Sequence, residues 1–312
     1  MSNESNVNES LENGLPEVGP KSALVSIIGR PSAGKSTFLN TASGEKISIV
    51  SAMPQTTRNA IRGIVNLSYG QLVFIDTPGL HNSDKKMNLK LTKIASDQIE
   101  DSDAILYIID STRECGEEEE MIASMARNHA DKLVIAINKI DDVHSDRQAV
   151  MDFLGKWFKD FPSERIVEIS AKADQNVNAV LKALCDIAPE GPHLYPEEYY
   201  TDQEVEFRIS EIIREQAINR LEQEVPHALY VGIEDMHMAG DNRLDVRAVI
   251  YVERESQKGI VIGKGASMIK EIRKESMKVC RDIFPYWVSL DLQVKVDKNW
   301  RQKDKVLDRI LK

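Results

Sequence analysis

The chain has 312 residues, 42% of them hydrophobic, and a net charge of −10. That length and apolar share allow a sizeable core and favour two domains, and the acidic balance confines any positive surface to a local patch. Three cysteines far apart and without metal-ligand spacing, Cys115, Cys185 and Cys280, exclude a disulfide scaffold and fit a reducing cytoplasm.

Residues 1 to 20 are rich in Asn, Glu and Ser, lack periodicity, and read as a disordered tail. No signal peptide is expected, and no run reaches the roughly 18 apolar residues of a spanning helix. The apolar run Leu24 to Ile28 predicts a strand, followed by Gly29-Arg30-Pro31-Ser32-Ala33-Gly34-Lys35-Ser36-Thr37 and an apolar helical pattern through Phe38 and Leu39. A strand, a GxxxxGKS loop and a helix form the setting of a phosphate-binding loop. Gly29 and Gly34 free the backbone to aim amides at phosphate oxygens, Lys35 supplies a point charge, and the Ser36 hydroxyl can ligate Mg²⁺. This loop by itself does not separate ATP from GTP.

The stretch Gln55-Thr56-Thr57-Arg58 offers hydroxyls able to reach Mg²⁺ when a γ-phosphate is present, with Thr57 preferred over its neighbour Thr56. Arg58 and Arg30 are read as solvated surface rather than arginine fingers. A second buried strand, Leu72 to Ile75, leads to Asp76-Thr77-Pro78-Gly79-Leu80, where Asp76 can hold a metal through water and the Gly79 amide can approach a γ-phosphate. Leu80 stands where some GTPases carry a water-orienting glutamine, so slow intrinsic turnover is expected, and His81 is read as an exposed loop histidine. The acidic run Glu117 to Glu120 reads as the first turn of a helix.

After the strand Leu133 to Ile137 comes Asn138-Lys139-Ile140-Asp141. An ionised Asp141 can accept from both adjacent N–H donors of guanine, whereas adenine would leave it facing an acceptor, so the base is read as guanine. Lys139 would lie along the purine face and Asn138 would tie the surrounding loops together. The Ala171 amide of Ser170-Ala171-Lys172, which follows the strand Ile166 to Ile169, would face the guanine carbonyl. With no Ser/His/Asp or Cys/His arrangement beside the phosphate loop, the nucleophile is water. Lys35, Thr57 and Gly79 are the expected catalytic group, with GTP or GDP as ligand and Ser36, Thr57 and Asp76 around Mg²⁺.

The proline-rich stretch Ala188 to Pro196 marks a boundary. The expected division is a GTP-binding domain over 21–188, a linker over 189–203, a second domain over 204–296 and a tail over 297–312. From about Glu204 the pattern is helix, strand, strand, helix, turn, helix, strand. Val205, Ile209, Ile212, Ile213 and Leu221 form a helical apolar stripe that Pro226 closes, Leu244 to Val252 read as a strand, and Val288 to Val296 alternate as a half-buried last strand. The turn Gly263-Lys264-Gly265-Ala266 joins two helices where a KH module clamps single-stranded RNA. Residues 254–281 hold eight Lys/Arg against three Asp/Glu, or +5. Arg254, Lys258, Lys264, Lys270, Arg273 and Lys274 would neutralise phosphates. Trp300 is read equally well as stacking a base from the tail or as closing the domain edge.

From Ser22 onward the chain resembles the Era family of bacterial GTPases, through GRPSAGKST, QTTR, DTPGL, NKID, SAK, LYPEEYYTDQEVEFRISEIIRE and ERESQKGIVIGKGASMIK. The resemblance implies an α/β P-loop GTPase domain, a mostly parallel sheet with helices on both faces, followed by an α+β, type II-like KH domain. It also implies binding to the 3′-end region of small-subunit ribosomal RNA, assistance in assembling the 30S subunit, and peripheral contact with the inner membrane. A monomer is expected. The competing readings are a P-loop ATPase or kinase and an RNA-binding scaffold that holds nucleotide for stability. Two residues depart from the family pattern. Ser32 replaces an asparagine associated in related GTPases with a stimulating monovalent cation, and Ala266 replaces the second glycine of GxxG.

Overall fold

A computed structural model describes residues 20–51, 53, 56–77 and 98–311. The first half is a six-stranded sheet made of β1 (Lys21–Ile28), β2 (Ile61–Leu67), β3 (Gly70–Asp76), β4 (Ala104–Asp110), β5 (Leu133–Asn138) and β6 (Ile166–Glu168). The strand order is β2-β3-β1-β4-β5-β6, with β2 antiparallel to β3 and the other pairs parallel. β4 is buried along its whole length because helices cover both faces of the sheet. Its Ala104, Leu106 and Ile108 join the core under α1 (Lys35–Ser43) and α4 (Val177–Ile187), and its Ile105, Tyr107 and Ile109 join the core under α2 (Glu117–Arg127) and α3 (Arg147–Trp157). In such a sheet the carboxyl ends of the parallel strands converge on one edge, where ligands bind.

The proline-rich connection runs along the first sheet. Gln71, fully buried on β3, accepts at Oε1 from the Leu194 and Tyr195 amides and donates to the Tyr195 carbonyl, so its buried side chain is satisfied by the connection.

The second half is α5 (Val205–Ile218), β7 (Tyr230–Met238), β8 (Arg243–Val252), α6 (Glu255–Ile262), α7 (Ser267–Ile283) and β9 (Trp287–Val296), in the order the sequence pattern predicts. Its sheet runs β7-β8-β9, with β7 antiparallel and β9 parallel to β8. The inward Val288, Leu290, Leu292 and Val294 of β9 meet Ile209, Ile212 and Ile213 of α5 and Ile272 and Cys280 of α7 in a second core. α5 ends at Ile218, eight residues before Pro226.

The segment expected as a tail folds. Asn299 takes a left-handed conformation and turns the chain into a short helical turn, Trp300–Gln302, then α8 (Asp304–Ile310). Trp300 and Leu307 are fully buried against Tyr230. The Trp300 indole donates to the Ala228 carbonyl at 2.9 Å, so this ring closes the edge of the second core and is not free to stack a base.

Candidate functional site

The phosphate loop leaves β1 at its carboxyl end and enters α1. Gly29 (φ +148°) and Gly34 (φ +99°) admit no side chain there: a Cβ on Gly29 would stand 2.4 Å from the Ile108 carbonyl oxygen, and one on Gly34 would stand 2.2 Å from Asn138 Nδ2. Ser32 is also left-handed, at φ +64°. The Lys35 Nζ donates to the Gly29 and Arg30 carbonyls, at 3.0 Å each. Burial pulls its ammonium down to about 8, against the opposing pull of Asp76 and Glu119.

Arg30 is not solvated surface. It is 8% exposed, donates to the Glu114 carbonyl and the Glu119 carboxylate, and pairs with Glu118. Glu119 in turn accepts from the Tyr107 hydroxyl at 2.5 Å, so the phosphate loop is latched to α2 and β4. Arg58 is 5% exposed, donates to the Leu229 carbonyl at 2.9 Å and lies over the Trp300 ring. Both arginines are tied to protein groups because each meets partners far away in sequence.

Three hydroxyls gather on Asp76 at the end of β3. Its Oδ2 accepts from Ser36 at 2.6 Å, Ser48 at 2.9 Å and Thr57 at 3.4 Å, and the Ser36 and Thr57 oxygens are 3.0 Å apart. Asp76 Oδ1 is buried with no hydrogen-bond partner. Burial raises the pKa of this carboxyl, while Lys35 and the hydroxyls work the other way. An orphaned carboxylate oxygen beside two hydroxyls is an oxygen donor set suited to Mg²⁺. Thr56 turns its own hydroxyl to the Met53 carbonyl, leaving Thr57 as the threonine that faces the cluster. Ser48 escaped the sequence reading. Its backbone is fixed by Asn40, which accepts from the Ser48 N–H and donates to its carbonyl.

At the other end of the cavity, Asn138 donates to the Ala33 carbonyl at 2.8 Å and accepts from the Ala171 amide at 3.0 Å, joining phosphate loop and base loop. The Ala171 amide, expected to face the guanine carbonyl, is thus already engaged. Lys139, left-handed at φ +66°, pairs with Asp110 at 2.6 Å. Although burial works against it, hydrogen bonds from Lys139 and Thr112 hold the Asp110 carboxyl below its ordinary range. A carboxylate ending the central strand could have been suspected from sequence. Asp141 and Asp142 face the same space.

Over these groups lies a cavity of about 550 Å³, bounded by Pro31, Ser32, Gly34, Lys35, Ser36 and Thr37 on one side, by Ile49, Val50, Ser51, Met53, Thr56 and Thr57 on another, and by Asn138, Lys139, Asp141, Asp142, Ala171 and Lys172 at the base end. Thr77, Ile140 and Ser170 sit behind it: Thr77 bonds the Ile27 carbonyl, the Ile140 amide donates to Ile169, and Ser170 accepts from Ala173. Gln55, Pro78, Gly79, Leu80 and His81 lie outside the described residues, as do residues 1–19.

The basic turn lies between α6 and α7. Gly263 (φ +73°), Gly265 (φ +61°) and Ala266 (φ +61°) are all left-handed, so the alanine carries a strain the glycines avoid. A Cβ on Gly263 would stand 2.8 Å from the Met268 amide nitrogen, which keeps that position bare. Lys264 and Lys270 are exposed and Lys258 half-buried. Arg273, counted among the phosphate neutralisers, is exposed and donates its Nε–H to the Leu290 carbonyl.

Comparison with known proteins agrees with this geometry. A family model described as "50S ribosome-binding GTPase" matches residues 24–139, and one described as "KH domain" matches 224–301. The chain is 59% identical to the GTPase Era of Treponema denticola, covering 93% of this chain and 99% of that one, and 44% identical to that of Borreliella burgdorferi at the same coverage. Among solved structures, Aquifex aeolicus Era bound to GDP and AlF4⁻ superposes with a TM-score of 0.87 at 32% identity, covering 93% of this chain and 98% of that one. An Era complex with MgGDPNP and nucleotides 1506–1542 of 16S ribosomal RNA superposes equally well, with the same identity and coverage. With a nucleotide-binding half and a KH half matched in a single relative over nearly its full length, the chain belongs to the Era family of GTPases.

Proposed function

We propose that this GTPase works as a nucleotide-dependent RNA-binding switch, with GTP and Mg²⁺ in the 550 Å³ cavity and the 3′-end region of small-subunit ribosomal RNA on the turn Gly263 to Ala266. The observation that carries the nucleotide half is the convergence of Ser36, Thr57 and Asp76 within hydrogen-bonding distance beside Lys35, with Asp76 Oδ1 left unpartnered. Ser36 and Thr57 would hold the metal directly and Asp76 through water. Held there, Mg²⁺ would supply positive charge that offsets the negative charge developing on the phosphates during transfer to water. Lys35 and the phosphate-loop amides orient the phosphates, Gly79 senses the terminal one, and Asp141 reads the guanine edge.

On this reading the chain divides into a GTP-binding domain over 21–188 and an RNA-binding domain beginning near 204. Family membership removes the ATPase and kinase readings. The RNA complex of an Era relative and the basic turn support 16S ribosomal RNA and the 30S subunit as partners. Cytoplasmic placement and a monomer complete the proposal, while peripheral contact with the inner membrane rests on family resemblance alone. Among the described residues no helix is long and apolar enough to cross a membrane.

Filter binding with an RNA copy of the 16S 3′ end tests the switch. The affinity should differ between the GDP-bound protein and the protein bound to a non-hydrolysable GTP analogue. Equal affinities would leave a scaffold that holds nucleotide only for stability.

A further inference from the structure

One wall of the nucleotide cavity, carried by residues 46–51, 53 and 56–58, is fastened to the RNA-binding half rather than to its own sheet alone. Glu215 on α5 accepts at Oε1 from the Lys46 Nζ at 2.7 Å and from the Val50 N–H at 2.8 Å. Its neighbour Arg214 donates to the Thr56 carbonyl and is itself gripped by both oxygens of Glu211, at 2.6 and 2.7 Å. Val50 and Thr56 both line the cavity.

Packing does not explain these groups. α5 already seats itself on its own core through Ile209, Ile212, Ile213 and Ala217. Glu215 and Arg214 are nevertheless 3% and 2% exposed, and burying ions costs several kcal/mol each unless their partners are well placed. Besides Glu211 and Gln216 of α5 itself, their partners are the backbone and a lysine of the wall. Fastened in this way, the wall presents Thr57 Oγ1 at 3.0 Å from Ser36 Oγ and 3.4 Å from Asp76.

We propose that Glu215 is a positioning residue for GTP hydrolysis: from the RNA-binding half it holds the cavity wall in the form that places the Thr57 hydroxyl at the metal cluster, and so favours Mg²⁺·GTP over GDP. The proposal rests on the reading that Thr57 meets Mg²⁺ in the triphosphate state. A ligand that needs the fastened wall binds in proportion to the fraction of molecules that have it, and one that does not need it is indifferent. Linkage makes the effect reciprocal, so triphosphate tightens the grip of α5 on the wall.

The test uses the full chain and fluorescent GDP and GDPNP in Mg²⁺ buffer. Glu215→Ala is expected to weaken GDPNP about tenfold, the scale of one lost charge-assisted hydrogen bond, with GDP within about twofold and kcat/KM for GTP falling in step with GDPNP. Glu215→Gln keeps an oxygen for the Val50 N–H and should restore most of the loss. Lys46→Met approaches the same contact from the other side and should produce a smaller loss of the same kind. RNA affinity measured without nucleotide should match wild type, showing that the second half is folded. Equal weakening of GDP and GDPNP would overturn the proposal in favour of a merely structural role, as would unchanged GDPNP affinity in both Glu215→Ala and Lys46→Met. Thr57→Ala separates the two levels. If it weakens GDPNP while Glu215→Ala does not, the positioning role falls and the metal reading stands; if it changes nothing, the metal reading itself falls.

Discussion

Replacing Trp300 by alanine removes a ring that is fully buried, meets Tyr230 edge-on at 5.0 Å between centroids, and lies under the Arg58 guanidinium at 5.5 Å. Truncating a buried aromatic to alanine costs about 3–5 kcal/mol. The Ala228 carbonyl also loses its 2.9 Å indole donor, worth about 1 kcal/mol, and part of these terms overlap, so about 4 kcal/mol is expected for the RNA-binding half. Trp300→Phe retains most of the apolar volume and should cost about 1–2 kcal/mol, the price of an unpartnered carbonyl and a smaller ring. Urea unfolding followed by far-UV circular dichroism reads both numbers, with RNA affinity measured in the folded baseline. Because the ring is sealed from solvent, RNA affinity should stay within about twofold in Trp300→Phe, far below the 1–3 kcal/mol per base that stacking contributes. An unchanged unfolding midpoint together with a tenfold loss of RNA affinity would refute the reasoning and restore Trp300 as a base-stacking residue.

Three further outcomes concern Lys35 and Ala266. Phosphate favours the Lys35 ammonium, which in the ligand-free chain is already pulled down to about 8, so binding takes up a proton above that pH; GDP affinity measured by calorimetry should fall by about fivefold between pH 8 and 9. For folding the sign is opposite, since a lysine whose folded pKa lies below its unfolded one penalises the native state most below the folded value, and the nucleotide-free chain should gain stability as pH rises through 8. Ala266→Gly relieves a left-handed alanine at the start of α7 and should stabilise the chain by about 0.5–1 kcal/mol in urea unfolding, with RNA affinity equal or higher.

What could be read from the sequence was whatever is written locally. β1, β3 and β5 announce themselves as short apolar runs ending at functional loops, and β9 as strict alternation, because a buried strand needs no distant partner to show its pattern. The phosphate loop, Asp76 and Asn138 to Asp141 were legible for the same reason: each motif holds its chemistry within a few residues. Contacts between distant segments were not legible. Arg30 finds Glu119 89 positions later, and Glu215 meets the Val50 amide across 165 positions, so neither carries a local period. Ser48 looked like any loop serine, and only Asn40 and Asp76 give it a place. The segment after Val296 read as a tail because Trp300 and the few apolar residues from Val306 to Leu311 make too short a pattern, although Trp300 and Leu307 suffice to seal a small edge.

On the proposed function one carboxylate, Asp141, selects guanine by accepting from its two adjacent donors, at the base end of a cavity whose other end holds Lys35 and Ser36. Xanthine carries an oxygen where guanine has its amino group, and an amide can donate to that oxygen. Competition calorimetry of Asp141→Asn against GDP and xanthosine diphosphate should therefore show GDP weakened by at least about a hundredfold and the preference inverted towards the xanthine nucleotide. Undiminished preference for GDP in that variant would show that Asp141 does not select the base.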